Sequence, residues 1–281
     1  MIEYIFDGRI YTKRNLDFTL GNFDFFLLVL STLLVAAAGY IINDYFDTKI
    51  DRINKPDRVV IDKGIKRDKA IYLHWILSAL AVIIGFYLSW KIGHFKFGFI
   101  HLLSVGLLWF YSTTFKREFF LGNLIVAALT GMVPLLVGLF EPKIYEGSHS
   151  SFSFILGYSF FAFIISMARE IIKDMEDIKG DAALNCRTIP IVLGINGGKI
   201  IAAIFLIGIM AFVAYLQVTQ YTSGDMMSFW YFLLALQVPL LFTIGLTFSA
   251  KTKKEFHLAG LFAKGVMAAG VFSMLIFYYS L

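Results

Sequence analysis

The sequence predicts an all-α membrane protein, a multi-spanning transmembrane helical bundle of eight helices. Three observations carry that class. Apolar runs of membrane length recur along the chain, most of the charge falls between them, and none of the runs alternates with the period of two that marks a strand. Of the 281 residues, 58% are apolar and only 16% charged, and the mean hydropathy is +0.74. Soluble domains are about one quarter charged. In lipid, a long apolar segment satisfies its backbone only as a helix or in a closed barrel.

The spans follow in order. The first runs from Phe23 to about Tyr45, and the next from Ala70 to Trp90, Phe97 to Thr113 and Phe120 to Phe140. Four more run from Phe152 to Ile172, Lys199 to Val218, Ser228 to Phe248 and Leu258 to Tyr279. Each is long enough to cross roughly 30 Å of hydrocarbon as a helix, the third only just. The whole chain, 1–281, reads as one transmembrane domain preceded by a polar, basic segment over 1–21. Between the first two spans, residues 62–68 suggest a short interfacial helix or cap. Asn196-Gly197-Gly198 reads as a turn before the sixth span.

Loop charge orients the bundle. Lys and Arg crowd the loops at 47–69, 114–119, 173–199 and 249–257, which alternate along the chain, while the opposite loops hold only Lys91, Lys96 and Lys143. The positive-inside rule puts the rich loops in the cytoplasm. Arg9, Lys13 and Arg14 fall on the poor side and break this pattern. The net charge of +5 does not indicate nucleic acid, because the basic residues are dispersed in these loops. The single cysteine, Cys186, excludes an internal disulfide and a cysteine metal cluster. The five histidines share no spacing and read as interfacial or packing residues. No protein partner is indicated.

The chemistry lies at the ends of two spans. Asn43-Asp44-Tyr45-Phe46-Asp47-Thr48-Lys49-Ile50-Asp51 places Asp44, Asp47 and Asp51 three and then four residues apart, on one face of a helix. Asp174, Asp177 and Asp181 repeat that spacing at the end of the fifth span. One such face alone reads equally well as a solvated acidic helix end. Two of them at one membrane level can hold divalent ions between them. Oxygen ligands without a His or Cys cluster favour Mg²⁺ or a similar hard ion. Ions so placed suit a ligand with several phosphate oxygens. On the same side, Lys116 and Arg117 are candidates to clamp such oxygens, Lys116 being favoured because adjacent side chains diverge on a helix. Arg169, inside the last turns of its span, needs an acidic partner or a polar cavity. Arg52 and Lys173 flank the acids.

These motifs resemble those of the UbiA superfamily of intramembrane prenyltransferases. The family's Asn-Asp-x-x-Asp-x-x-x-Asp and Asp-x-x-Asp-x-x-x-Asp correspond to Asn43, Asp44, Asp47 and Asp51 and to Asp174, Asp177 and Asp181. The Arg52-Ile53-Asn54-Lys55-Pro56 and Tyr111-Ser112…Lys116-Arg117…Leu121-Gly122-Asn123 stretches also match the family's usual run. The resemblance extends from about residue 22 to the C-terminus. It implies that Mg²⁺ held by the six aspartates binds an isoprenyl diphosphate at the cytoplasmic end of a central cavity. Asn43, Arg52, Tyr111, Lys116, Arg117, Arg169 and Lys173 are the candidate contacts to the diphosphate. Catalysis is expected of Asp44, Asp47, Asp174, Asp177 and Lys116.

Such proteins usually have nine spans, with the first motif ending the second. Here it ends the first, so one helix is expected upstream of Met1 in a longer reading frame, the alternative being a chain adapted to eight spans. The residues around the second motif look most like the branch that alkylates geranylgeranylglyceryl phosphate to make ether lipids. An aromatic quinone precursor is the alternative acceptor. The alternative of another class is a membrane transporter or a cation-binding protein.

The loop pattern makes a topological prediction. On a background lacking Cys186, single cysteines at 91–96 and at 249–257 should label from opposite sides of the membrane, with only 249–257 accessible from the cytoplasm. Labelling of both from the same side refutes the arrangement.

Overall fold

The computed structural model describes residues 19–54, 56–147 and 149–280. The segment bearing Arg9, Lys13 and Arg14, and Lys55 in the first long loop, lie outside the described residues. The apolar runs form helices α1 (Asn22–Asn54), α2 (Arg67–Lys91), α3 (Gly98–Thr113), α4 (Leu121–Leu139) and the short α5 (Pro142–Gly147). Then come α6 (His149–Ala183), α7 (Ile189–Ser223), α8 (Met226–Tyr231), α9 (Val238–Ser249) and α10 (Lys253–Ser280). A π-helical turn, Phe232–Gln237, joins α8 and α9 into one span. Eight helices among the described residues are long and apolar enough to cross a membrane, and the chain is a multi-pass integral membrane protein. Strand pairing among these residues is limited to one bridge, Ile61–Ile65.

Several helices outrun the apolar segments that nucleate them. The 33 residues of α1 extend roughly 50 Å at the usual rise, well beyond the hydrocarbon thickness. The first acid motif is therefore still helical, and so is the second on the 35-residue α6. Two loop expectations are corrected. Residues 62–66 form a tight turn in place of an interfacial helix, with the Lys63, Gly64 and Ile65 amides donating back to the Val60 carbonyl and the Asp62 amide donating forward to that of Ile65, while Arg67 and Asp68 open α2. Asn196-Gly197-Gly198 is not a turn but lies within α7, whose first residues are started by Pro190. The break falls earlier, at Gly194, whose φ of +73° is open to glycine and costly for other residues.

The helices pack into two halves. Leu28 of α1, Leu88 of α2 and Leu136 of α4 share one buried cluster with Phe140. Ile165 and Ile172 of α6 pack with Leu206 and Ile209 of α7, Leu240 of α9 and Phe256 and Val266 of α10 in another. Polar ties fix the first half internally. Lys91 Nζ at the end of α2 meets the buried carboxylate of Asp24 at 2.7 Å, in the first turn of α1. Ser31 Oγ and His101 Nε2 are 2.9 Å apart between α1 and α3. His74 Nδ1 lies 3.0 Å from the Ala38 carbonyl, so both histidines are buried packing residues.

Glu141, just beyond α4, accepts hydrogen bonds from the Thr19 amide at 2.9 Å and the Leu20 amide at 3.1 Å. It fixes the approach of the chain into α1. Removal leaves two buried donors unsatisfied, and hydrogen bonds to charged groups contribute about 1.5–3 kcal/mol each. Glu141→Ala should therefore cost about 2–3 kcal/mol of stability in detergent and speed amide exchange at Thr19 and Leu20. Glu141→Gln, which keeps an acceptor oxygen, should lose less. Unchanged exchange at both amides contradicts the tie.

Candidate active site

Both acid motifs come to the same end of the bundle, because α1 and α6 run past their apolar segments together there. Asn54 locks them. Its side chain donates to the Asp177 carbonyl at 3.2 Å and accepts from the Gly180 amide at 3.1 Å. Gly180 lies so close to Asn54 that a side-chain carbon there would collide with its amide.

The acids are already engaged by the protein's own cations and amides. Asp47 is paired with Lys116, both nearly buried, and Lys116 Nζ also reaches Asn43 Oδ1 at 3.5 Å. Asn123 Nδ2 donates to Asp174 Oδ2 at 2.8 Å. Lys253 Nζ at the start of α10 stands 3.7 Å from Asp177 Oδ1. Asp181 is buried and within electrostatic reach of Asp177 and of Asp47 across the helix pair. Asp44 is more exposed, facing Lys116 and Lys173 at longer range. Asp51 is half-buried on α1.

Lys116 owes its position to a short 3₁₀ turn, Phe115–Arg117, folded against the start of α4. Gly122 makes room for it: a Cβ there would lie 2.8 Å from Lys116 Cα and 3.1 Å from the Phe115 carbonyl oxygen. Burial draws the Lys116 ammonium below its ordinary pKa, and Asp47 opposes that shift. Arg117 beside it is exposed, its carbonyl accepting the Arg187 amide at 2.7 Å.

Between α1, α3, α4 and α6 lies a cavity of about 320 Å³ that opens toward this end. Its walls are apolar along Val35, Ile100, Leu108 and Leu136. Asn43, Tyr111, Arg169, Glu170 and Lys173 close its polar end. Arg169 does not reach the second motif but pairs with Glu170, its neighbour in sequence, and Lys173 Nζ lies 3.9 Å from the same carboxylate. Arg52 points elsewhere, 3.7 Å from Asp62 and 61% exposed.

Sequence reasoning left Glu170, Asn123, Asn54 and Lys253 without a role at the site. Glu170 had a signal, since an acid within a span, beside an arginine, calls for a partner. The other three become neighbours only through the packing of distant helices.

Every candidate metal donor is a carboxylate or amide oxygen, a set that suits a hard ion such as Mg²⁺. Among the described residues no three Asp, Glu, His or Cys side chains already converge as a metal cluster. The protein's cations stand against the acids where an ion's charge would be welcome. By donor chemistry the residues fit Mg²⁺.

An all-helical membrane bundle with two acid motifs adjoining Asn43 and Lys173, at the polar end of an apolar cavity, defines an intramembrane enzyme class. Residues 15–276 match the UbiA prenyltransferase family, and the chain belongs to it. It is 37% identical over 183 residues to the digeranylgeranylglyceryl phosphate synthase of Methanosphaera stadtmanae, a match covering 65% of this chain and 62% of that protein. The chain thus aligns with less than two thirds of that relative's length. A solved structure of a digeranylgeranylglyceryl phosphate synthase shares the fold, with a TM-score of 0.67 at 22% identity over 99% of this chain and 90% of the other. So does a UbiA homologue from Archaeoglobus fulgidus bound to DMAPP and Mg²⁺, with a TM-score of 0.56 at 13% identity over 91% and 88%.

The seating of Lys116 is testable without reference to any ligand. Gly122→Ala forces a methyl against backbone that has no flexible end to yield, an overpacking worth about 1–3 kcal/mol. It should lower stability by that amount and raise the labelling of Lys116 by amine-reactive reagents. Unchanged labelling would show that the turn does not depend on this contact.

Proposed function

We propose that the protein transfers a prenyl group from an isoprenyl diphosphate, in the first instance geranylgeranyl diphosphate, to a hydroxyl of geranylgeranylglyceryl phosphate, releasing diphosphate. The observation that carries this reading is one cavity with two characters. Its walls are apolar, and its mouth gathers Asn43, Tyr111, Arg169 and Lys173 beside the two acid motifs. Such a shape complements a ligand with a long apolar tail and a strongly anionic head. Similarity to relatives named as digeranylgeranylglyceryl phosphate synthases supports this acceptor. The basic loops support a cytoplasmic position for this end.

In this reading Lys116, Arg169 and Lys173 hold diphosphate oxygens. Asp44, Asp47, Asp174 and Asp177, with Asp51 and Asp181 completing each face, hold Mg²⁺. When bound, Mg²⁺ supplies the positive charge that neutralises the departing diphosphate. The C1–O bond breaks with its electron pair leaving on the diphosphate. The acceptor oxygen attacks C1, and its proton passes to the departing diphosphate. Apolar walls keep water away from the carbocation, and the fixed cations stabilise the leaving group without reorganising. Arg117 and Arg52, more exposed than Lys116, serve the approach of the anion.

Asp47→Asn and Asp177→Asn each remove one unit of charge while keeping size and most hydrogen bonding. Each should lower turnover by at least about 100-fold, the scale of losing one preorganised electrostatic contact in a transition state. Lys116→Ala should mainly raise the KM for the prenyl diphosphate and cost less. The measurement is Mg²⁺-dependent release of diphosphate from geranylgeranyl diphosphate in purified membranes, against glycerophosphate and aromatic acceptors. Full turnover by both aspartate variants refutes the two-motif mechanism. Transfer only to an aromatic acceptor refutes the glycerophosphate assignment.

A further inference from the structure

A second, smaller cavity of about 80 Å³ lies on the outer side of α6, against α10. Arg169, Lys173, Lys264, His257 and Glu176 supply its polar lining. Arg169 and Lys173 share Glu170, so with Lys264 and Glu176 the surroundings set three permanent cations against two carboxylates. Glu176 is already committed: its Oε1 stands 3.1 Å from His257 Nδ1. Lys264 is the unexpected member. It lies roughly 16 Å along α10 from the first residue of that helix, in an otherwise apolar stretch. It makes no hydrogen bond or ion pair among the described residues. Its electrostatic neighbours include Arg169 and Lys173, of like charge, as well as Glu176 and Glu170. A lysine at such depth marks a functional site by default, and like charges gathered there repel unless an anion joins them.

Arg169 and Lys173 line both this pocket and the main cavity, so the pocket adjoins the diphosphate end. None of the six motif aspartates lines either cavity; in this one an anion meets Arg169, Lys173 and Lys264. The space takes one phosphate and leaves no room for a prenyl chain.

We infer that this pocket holds the phosphate monoester of the acceptor, with Arg169 and Lys173 as the shared wall between donor diphosphate and acceptor phosphate. The inference rests on the proposed glycerophosphate acceptor and locates its head group. Lys264 and His257 then become specificity-determining residues: they select a dianionic phosphate over a neutral or aromatic acceptor. Arg169 and Lys173, shared with the donor side, and Lys264, which lines this pocket alone, hold that phosphate, and the glycerol hydroxyl is presented toward the main cavity.

The test is equilibrium binding to the full chain in nanodiscs, without Mg²⁺ or prenyl diphosphate, so that it needs no turnover. The probes are labelled geranylgeranylglyceryl phosphate and the same lipid lacking its phosphate. The wild type should bind the phosphorylated probe at least about tenfold more tightly, the scale of one charge-assisted contact. Lys264→Met should remove most of that preference, and Lys264→Arg should retain it. His257→Gln should reduce it less than Lys264→Met. Lys264→Met eliminates a charge at membrane depth and does not threaten insertion. An unchanged preference in Lys264→Met overturns the assignment. Displacement of the phosphorylated probe by vesicle phosphatidylglycerol at comparable concentration also overturns it, since the pocket would then be a bilayer head-group site. If the wild type keeps the preference but transfers no prenyl group to any phosphorylated acceptor, the proposed reaction fails while the pocket stands.

Discussion

Lipid offers no partner to a charged group, so a site built from six aspartates and several cations can exist in this fold only where helices leave the hydrocarbon. The structure meets that constraint with length. Both α1 and α6 continue as helix well past the thickness their apolar segments require. Had either ended where its apolar run ends, its three acids would sit on a loop with no common face. Continuing the helix keeps the three-then-four spacing meaningful in space. Asn54 then needs only two hydrogen bonds to hold the two extensions at one level.

Charge balance within the cluster follows from the same constraint. Removing a carboxylate or ammonium from water costs several kcal/mol unless a partner is supplied. Asp47 and Lys116 are both nearly buried and paired. Glu170 collects both Arg169 and Lys173. Asp174 is given a neutral amide from Asn123 instead of a cation. The site is thus not a bare acid cage but a set of acids held by donors that a polyanion and its counter-ions would have to outcompete. A buried pair of this kind adds little net stability, whereas loss of one member strands the other. The 3₁₀ turn carrying Lys116 therefore matters as much as the acids it faces.

The eight spans were legible in the sequence because composition alone separates lipid-facing segments from loops. The acid faces were legible because their spacing is a property of the helix, independent of tertiary context. What could not be read were helix ends and cross-helix partners. The first span appeared to end near Tyr45, since hydropathy falls there, yet hydropathy reports burial in lipid and not helicity. Asn196-Gly197-Gly198 looked like a turn by local propensity. In the structure Gly198 sits where a Cβ would press on the Met175 sulfur at 3.0 Å, so α7 uses that glycine for close packing against α6. Asn123 and Lys253 carry no local signal of their role, because their neighbours are more than fifty residues away in sequence, whereas Lys264 has one, as a charge inside an apolar span. His257, an interfacial residue near the start of α10, also bonds Glu176.

The geometry of α6 connects these points. At 100° per residue, Asp174, Asp177 and Asp181 fall within a stripe that also contains Glu170, whereas Arg169, Lys173 and Glu176 fall on a second stripe roughly 100° away. The acid stripe turns toward α1 and Asn123, and the second turns toward α10 with His257 and Lys264. One helix thus separates its charges by direction. Its basic stripe lies close enough to temper the acids, yet opens into a different cavity. A helix carrying only the acid stripe would repel itself at this depth. One carrying both can stay in the membrane and present an anion-binding wall on each side of the same two residues, Arg169 and Lys173.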